Sequence, residues 1–402
     1  MVRLWLIALV VAMGCGANAD PSVSPDQDGA ASGPVPGFSR VFEASWPAAS
    51  QGVPTPMCRD TAWCWLVASD SSYQSFLPTS KDWHVATSPS KGASVGIPTS
   101  FASSKDAVLI GSTLGYTLRD YAGDLQRVGK DSYASVAACH SGFCVAVTPK
   151  PELTTAGLHL FAFDSSGEPV NDGDIALQNG WEQQLCAPVA DSLAPLAFGN
   201  NTVERRVGIL YRRFLKSGNG GIALELRLAV VVYAGVRYNG VDTPTDILLD
   251  QRTSLVGGTT SCGDLYKNTA IQGQSLSMHG DGLAAAWRND SGLLLSIIGY
   301  KDQKIELPAE RPVPYLPGTI FLALPNAKQL IGVVPQVGNT YARFVAVDSM
   351  GYPSLHLDLD PKIAAASLSA FGRDQVIVVT RPAEQDGKPG VTLVGRLLRY
   401  TP

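Results

Sequence analysis

Seven short apolar runs recur along the chain, and each follows a turn of small or polar residues. The runs are Cys64–Ser69, Ala107–Ser112, Phe143–Thr148, Val207–Tyr211, Leu283–Trp287, Leu330–Val334 and Val376–Thr380. A continuous apolar run of this length, bounded by turn signals, is typical of a strand buried on both faces. The basic spacing is about 45 residues, and two intervals carry insertions. The pattern therefore predicts one repeated β unit.

A second signature, Asp-x-x-Gly, ends alternating strands at three places. It occurs at Asp120–Gly123, Asp164–Gly167 and Asp348–Gly351. Asp favours the first position of a type I turn, and Gly tolerates the positive φ at its end. The copies lack the alternating Asp and Asn ligands of a calcium loop. They predict hairpins that join the third and fourth strands of each unit.

Four antiparallel strands in about 45 residues is the size of a propeller blade. Residues 38–402 therefore resemble seven-bladed β-propellers in repeat geometry, although the WD dipeptide, kelch glycines and Asp boxes are absent. The resemblance implies a closed all-β ring. The last unit stops after a third strand, Val391–Tyr400, so we expect the lone strand Phe38–Trp46 to complete it and remove an exposed edge. A pair of β-sandwiches and a six-bladed ring with one irregular unit are the alternatives.

The N-terminus indicates export. Arg3 precedes an apolar run, Leu4–Met13, that is too short to span a bilayer and is arranged like a secretory signal. Ala12–Cys15 resembles the lipobox of bacterial lipoproteins, with Ala12 where Leu is usual. That resemblance implies an acylated Cys15, for example with palmitate, as the new N-terminus. The alternative is an ordinary signal peptide cut near Ala19.

These features divide the chain into three parts. Residues 1–14 are the expected signal peptide, 15–37 the lipidated cysteine and a flexible tether, and 38–402 the propeller domain. The tether is rich in Gly, Ala, Ser, Pro and Asp. Its mean reach is about 25 Å. We expect a body anchored by lipid in the bacterial cell envelope, at the periplasmic or surface face of the outer membrane, or a secreted body if the lipid is absent.

Six further cysteines predict disulfides in an exported chain. They are Cys58, Cys64, Cys139, Cys144, Cys186 and Cys262. Cys58 with Cys64 and Cys139 with Cys144 each span a hairpin between first and second strands. The remaining two then join longer loops. Neither close spacing matches a zinc knuckle, which is the competing interpretation.

Composition removes several classes of function. Only 16% of residues are charged and the net charge is −4, whereas 45% are hydrophobic. Disordered, coiled-coil and nucleic-acid-binding proteins carry more charge than this. The 40 Gly and 27 Pro fit frequent turns.

The candidate binding residues are arginines that follow second strands on the face with the long insertions. They are Arg212, Arg213, Arg288 and Arg381. Guanidinium groups that converge near the channel mouth would bind a carboxylate or phosphate. The five histidines are scattered, and no nucleophile elbow, phosphate loop or metal motif is present. We therefore assign no catalytic residue, cofactor or metal.

The sequence favours a binding or scaffold propeller with a monomeric body that recognises an envelope protein, peptide or glycan. Its membrane contact is through the lipid anchor. One alternative is a hydrolase or lyase that acts on an anionic glycan and positions it with Arg212, Arg288 and Arg381. A structural component of an envelope complex is the other.

Overall fold

The fold is almost entirely β-structure. A computed structural model describes residues 37–47, 55–59, 63–67, 73–76, 98–104, 107–120, 125–130, 133–139, 142–148, 157–164, 166–175, 184–196, 205–216, 221–234, 245–254, 261–267, 269–279, 282–290, 292–301, 304–306, 311–312, 320–323, 330–335, 342–347, 353–360, 363–371, 375–382 and 390–401. Within these ranges there are 28 strands and one short helix. None of the described helical residues forms a segment long and apolar enough to cross a membrane.

The strands of the described ranges form seven antiparallel sheets, which we number along the chain. Sheet 1 contains β2 (Thr55–Arg59), β3 (Trp63–Val67) and β4 (Tyr73–Phe76). Sheet 2 contains β5 (Pro98–Ser103), β6 (Ala107–Ser112), β7 (Gly115–Asp120) and β8 (Leu125–Lys130). Sheet 3 contains β9 (Tyr133–Cys139), β10 (Gly142–Thr148), β11 (Leu158–Asp164) and β12 (Pro169–Ile175).

The later sheets follow the same order. Sheet 4 contains β13 (Val189–Pro195), β14 (Arg205–Lys216), β15 (Ile222–Ala234) and β16 (Thr245–Ser254), and helix α1 (Cys262–Lys267) follows it. Sheet 5 contains β17 (Gln272–His279), β18 (Gly282–Asn289), β19 (Gly292–Lys301), β20 (Lys304–Glu306) and β21 (Arg311–Pro312). Sheet 6 contains β22 (Ile320–Ala323), β23 (Leu330–Pro335), β24 (Ala342–Val347) and β25 (Pro353–Asp360). Sheet 7 contains β26 (Ile363–Phe371), β27 (Gln375–Pro382), β28 (Thr392–Thr401) and the N-terminal β1 (Gly37–Pro47).

The seven apolar runs fall on the second strands of the sheets, the first of them as far as Val67. Successive strands of a sheet pair with one another, except that β21 pairs with β19 in sheet 5. The second strands β6 and β10 are buried along their whole length. Their residues are apolar or glycine except for Ser112 and Thr148, as expected for strands that are covered on both faces. The body is therefore propeller-like, with sheets stacked side by side.

The described residues include three apolar cores that lie between consecutive sheets. One joins sheets 2 and 3 around Leu109 and Phe143, and the next joins sheets 3 and 4 around Leu160 and Ile209. The third joins sheets 4 and 5 around Trp287, which is 1% exposed. Burial of such side chains contributes about 1.5–3 kcal/mol each. The hydrophobic stacking of sheets is thus the main source of stability.

First strands are also tied to each other by hydroxyl groups. Ser100 Oγ in β5 accepts a hydrogen bond of 3.0 Å from the amide of Val136 in β9. Ser192 Oγ in β13 accepts one of 3.1 Å from the amide of Leu276 in β17. Each serine directly follows a register shift in its strand. The same local geometry therefore recurs in the first strands of sheets 2 and 4.

The N-terminal strand is the outermost strand of the last sheet. β1 pairs with β28 along its length, with Glu43 opposite Arg396. Arg396 is 3% exposed, and its Nε donates to Glu43 Oε2 at 2.6 Å. Strand β26 of sheet 7 in turn lies against β2 of sheet 1. The expected pairing of Phe38–Trp46 with the last unit is present.

One Asp-x-x-Gly turn is described in detail. Asp164 Oδ1 accepts hydrogen bonds from the Ser166 amide at 2.8 Å and the Glu168 amide at 3.0 Å. Gly167 has a φ of 89°, which favours glycine. The hydrogen bond from the Ser166 side chain, with help from backbone amides, lowers the pKa of Asp164 below its ordinary value. The turn joins β11 to β12, as the motif predicts.

Two of the three predicted cysteine pairs are bonded in the structure. Cys139–Cys144, the hairpin disulfide, crosses the β9–β10 turn with a Cα separation of 5.8 Å. Cys186–Cys262, the loop disulfide, joins the segment before β13 to helix α1 with a separation of 5.7 Å. Cys58 and Cys64 are backbone partners in sheet 1, but their side chains lie outside the described residues. Cys15, the signal peptide and the tether up to residue 36 also lie outside them.

Candidate functional site

The loops before and after sheet 4 meet on one side of the body. The segment before β13 runs along the end of β14, where the Leu185 amide donates to the Phe214 carbonyl at 2.8 Å. The loop after β16 contains helix α1, and the loop disulfide holds its first residue, Cys262, against Cys186. Both loops belong to the insertions that the sequence predicts on one face, Asp172–Pro195 and Arg252–Gln272.

Helix α1 is short, but its start is well defined. Ser261 caps it: its Oγ accepts from the Asp264 amide at 3.2 Å, and its hydroxyl donates to the Asp264 carboxylate at 2.7 Å. Leu265 points into the core between sheets 4 and 5. The Tyr266 hydroxyl donates to the Ala187 carbonyl at 2.6 Å, which fixes the helix to the segment before β13.

Below the helix, Arg212 forms a buried ion pair with Asp191. The two side chains are 11% and 5% exposed, and two nitrogens of Arg212 each lie 2.7 Å from a different Asp191 oxygen. A third nitrogen-to-oxygen contact of 2.8 Å reaches Thr269 Oγ1. We call this group the Arg212 clamp, because it ties β13 and β14 to the segment between α1 and β17.

Burial disfavours the charged forms of both Asp191 and Arg212. It raises the pKa of Asp191, and the charge of Arg212 opposes that effect. Burial also acts to lower the pKa of Arg212, but the bonds to Asp191 outweigh it and leave that pKa above its ordinary value. An arginine keeps its proton in proteins, and two short charge-assisted bonds suit a carboxylate. The pair is therefore ionised and locks the loops in place.

A cleft of about 450 Å³ opens between sheet 4, helix α1 and the turn after β18. We call it the loop cleft. Its apolar floor consists of Phe214, Ile222, Leu224 and Leu265. Phe214, Leu224 and Arg252 are direct neighbours across β14, β15 and β16. The volume falls in the range of small-ligand sites, about 300–1,000 Å³.

The rim of the loop cleft is polar. Gln251, Arg252, Thr253, Thr269 and Asp290 line it, together with Ala270. Arg252 is 30% exposed, and its Nε donates to Asp250 Oδ1 at 3.1 Å. No ion pair or hydrogen bond joins Asp290 to another residue in the part of the chain that is described. The cleft thus offers one positive and one negative group beside an apolar floor.

Asp250 holds this rim to sheet 5. Its Oδ2 accepts from Trp287 Nε1 at 2.8 Å and from Asn289 Nδ2 at 2.7 Å, while Oδ1 accepts from Arg252. Three donors from two sheets therefore converge on one carboxylate. This fixes the stem of Arg252 at the mouth of the loop cleft.

The four predicted arginines occupy different surroundings. Arg212 is in the clamp, and Arg213 pairs with Glu225 at 2.8 Å on the other face of sheet 4. Arg381 is 5% exposed and donates to the Gly390 carbonyl at 2.6 Å. The side chain of Arg288 lies outside the described residues. The contacts given for Arg212, Arg213 and Arg381 are with different partners, and anion binding by the set stays a prediction.

A second buried network covers the face of sheet 4 that is turned towards sheet 3. Arg227 lies 3.0 Å from Glu225 and 3.0 Å from Asp246, whose Oδ1 also accepts from the Tyr211 hydroxyl at 3.0 Å. Burial raises the pKa of Tyr211, and the Asp246 charge adds to that rise. These opposite charges pair with one another inside the body, and Asp246 Oδ2 is buried without a hydrogen-bond partner.

Sequence reasoning missed the residues that build the loop cleft. Asp191, Asp250, Arg252 and Asp290 stand in ordinary strand or turn contexts and carry no motif. The only available signal was the pair of insertions around sheet 4 with one cysteine in each. Among the described residues, no three His, Cys, Asp or Glu side chains lie close enough to hold a metal ion.

Comparison with known proteins yields structural likeness only. Neither a protein-family model nor a curated protein sequence matches the chain. The WD40 domain of Neurospora crassa Pan2 is similar in structure, with 10% identity over 91% of this chain and 96% of that one and a TM-score of 0.47. The polysaccharide lyase Uly1 is 8% identical over 88% of this chain and 91% of that one, with a TM-score of 0.48. Apo AztD from Citrobacter koseri is 9% identical over 90% of this chain and 99% of that one, with a TM-score of 0.41. With TM-scores below 0.5, these likenesses carry no argument about fold or function.

Proposed function

We propose that this protein is a non-catalytic binding module of the bacterial cell envelope, and that it holds its ligand in the loop cleft. The observation that carries the proposal is the construction of that cleft. A disulfide, a capped helix and a buried ion pair are all used to hold two long loops beside an apolar hollow. Binding sites are commonly formed by loops that a rigid scaffold positions.

The body that carries the cleft is proposed to be one ring of seven blades. Contacts between consecutive first strands, from β2 through β26 and back to β2, support this arrangement. The pairing of β1 with β28 supports closure by the N-terminal strand. Such a ring would hold sheets 4 and 5 at a fixed angle and so keep the cleft open.

The location follows from the N-terminus. We propose that Cys15 carries the lipid and that the tether holds the body away from the membrane. Disulfide bonds inside the body are consistent with an oxidising compartment. Mass spectrometry of the mature N-terminus tests this point, and an unmodified start after Ala19 would contradict it.

The charged groups favour binding over catalysis by the predicted arginines. Arg212 donates hydrogen bonds to Asp191, and Arg381 donates one to the Gly390 carbonyl. Their replacement would be expected to change stability before it changed any reaction. The rim of the loop cleft, in contrast, has Asp290 exposed and Arg252 only partly covered.

Ligand capture from envelope extract tests the function. The full-length chain, purified in detergent, is compared with Ala270→Trp, which places an indole ring in the cleft mouth. Leu114→Trp, at an exposed turn of sheet 2, is the matched control. We expect wild type and L114W to retain the same ligand and A270W to lose it. Equal retention by all three proteins would refute the site.

A further inference from the structure

The loop cleft carries two opposite charges that are not paired with each other. Arg252 uses its Nε on Asp250, and no described residue forms an ion pair or hydrogen bond with Asp290. Both residues line the same hollow. Two opposite charges that line one cleft suit a ligand that carries both complementary charges itself.

The floor between these charges is apolar. Phe214, Leu224 and Leu265 are 4–7% exposed, so their side chains are fixed by the core between sheets 4 and 5. An aliphatic or aromatic group placed on this floor would be removed from water. Each such side chain contributes about 1.5–3 kcal/mol when it is fully buried.

From this arrangement we infer that the loop cleft binds a short zwitterionic peptide with apolar side chains. The peptide carboxylate pairs with Arg252, its ammonium group pairs with Asp290, and its side chains lie on Phe214, Leu224 and Leu265. The inference rests on the proposed function, because it names the ligand class of the same site. A volume of about 450 Å³ accommodates a ligand of a few residues.

The side chain of Arg252 is more restrained than that of Asp290. Arg252 is anchored through Asp250 to Trp287 and Asn289, so its guanidinium is preorganised. Asp290 is exposed, and its side chain loses more freedom when it pairs. The carboxylate contact should therefore contribute more to affinity than the ammonium contact.

Isothermal titration calorimetry of the full-length chain in detergent tests the inference with four dipeptide probes. Leu-Leu carries both charges, Leu-Leu-amide lacks the carboxylate, acetyl-Leu-Leu lacks the ammonium, and Ser-Ser lacks the apolar groups. We expect the amide to bind about tenfold more weakly than Leu-Leu. We expect about a two- to fivefold loss for the acetyl form and about a tenfold or greater loss for Ser-Ser.

Three variants assign these losses to residues. In Arg252→Gln the difference between Leu-Leu and its amide should disappear. In Asp290→Asn the difference between Leu-Leu and its acetyl form should disappear, and this exposed position does not endanger folding. Arg40→Gln, at a half-exposed arginine of β1, should leave all four affinities unchanged.

Several results would overturn the inference. Equal affinity for Leu-Leu and Leu-Leu-amide, or no binding of Leu-Leu, would do so. Tighter binding of decanoate than of Leu-Leu, unaffected by Asp290→Asn, would identify an acyl carboxylate as the occupant instead. If A270W still abolishes capture from envelope extract in any of these cases, the proposed binding function stands and only the ligand class is wrong.

Discussion

Replacement of Asp191 with alanine tests whether the Arg212 clamp holds the wall of the loop cleft. Arg212 is 11% exposed and loses both 2.7 Å bonds in this variant. A buried charge left without its partner costs about 3–5 kcal/mol. The remaining bond to Thr269 does not compensate, because a hydroxyl carries no charge. We therefore expect a loss of this size in the free energy of unfolding.

A double variant separates the charge from the packing. Asp191→Leu with Arg212→Met removes both charges at similar volume, so the loss should stay below about 2 kcal/mol. Asp290→Ala, at an exposed residue, is the control and should change stability by less than about 0.5 kcal/mol. The double variant should thus recover much of the stability that Asp191→Ala loses.

Urea unfolding of the full-length chain, followed by tryptophan fluorescence, measures these differences through the midpoint at constant slope. Hydrogen exchange adds a local measure. Amides of residues 262–271 should exchange faster in Asp191→Ala, while those of sheet 7 should not change. A loss below about 1 kcal/mol, or equal losses in the single and double variants, would refute the clamp.

Other predictions concern the disulfides, the N-terminal strand and the turn after β11. Replacing both cysteines of the loop disulfide, which spans 76 residues, with alanine should lower the free energy of unfolding by about 4.5 kcal/mol. The same change in the hairpin disulfide, which spans five residues, should lower it by about 2 kcal/mol. The two losses are compared through unfolding midpoints under oxidising conditions. Glu43→Ala leaves buried Arg396 without its carboxylate and should cost about 1–3 kcal/mol. Arg40→Ala, at a half-exposed pair, should cost below about 1 kcal/mol, and equal losses would argue against β1 as an integral strand. Because the pKa of Asp164 is lowered on folding, its contribution to stability is present above pH 3.8 and is lost as pH falls through the lower pKa of the folded state. Carboxyl titration by NMR checks this, and a pKa at or above 3.8 would contradict it.

Strand order was predictable from the sequence because it depends on local signals. Second strands are buried on both faces and so are mostly apolar, as in β10 and in Val376–Val379 of β27. The Asp164 turn needs an aspartate at its first position and a glycine at its positive φ. The unpaired first strand followed from counting strands in the last unit. The turn is set by residues within one repeat, whereas the burial of second strands depends on neighbouring sheets and the pairing of β1 with β28 joins distant parts of the chain.

The loop cleft was not predictable in the same way. Its walls come from β14, β16, α1 and the end of β18, which the sheet stacking brings together. Nothing in the sequence distinguishes Asp250 from other aspartates, because its partners Trp287 and Asn289 lie in the next sheet. The predicted arginines show the opposite error. Arg212 was predicted to be free to bind a ligand, but it forms an ion pair with Asp191. Side-chain pairing between strands, whether within one sheet or between two sheets, cannot be predicted from periodicity.

The most direct test of the account is a map of the bound ligand on the protein surface. Hydroxyl-radical footprinting with mass spectrometry would compare the full-length chain alone with the chain carrying ligand captured from envelope extract. We predict protection at residues 251–253, 265–270 and 290, with unchanged labelling around Leu114. Protection elsewhere on the body, with labelling of the loop cleft unchanged, would contradict the account.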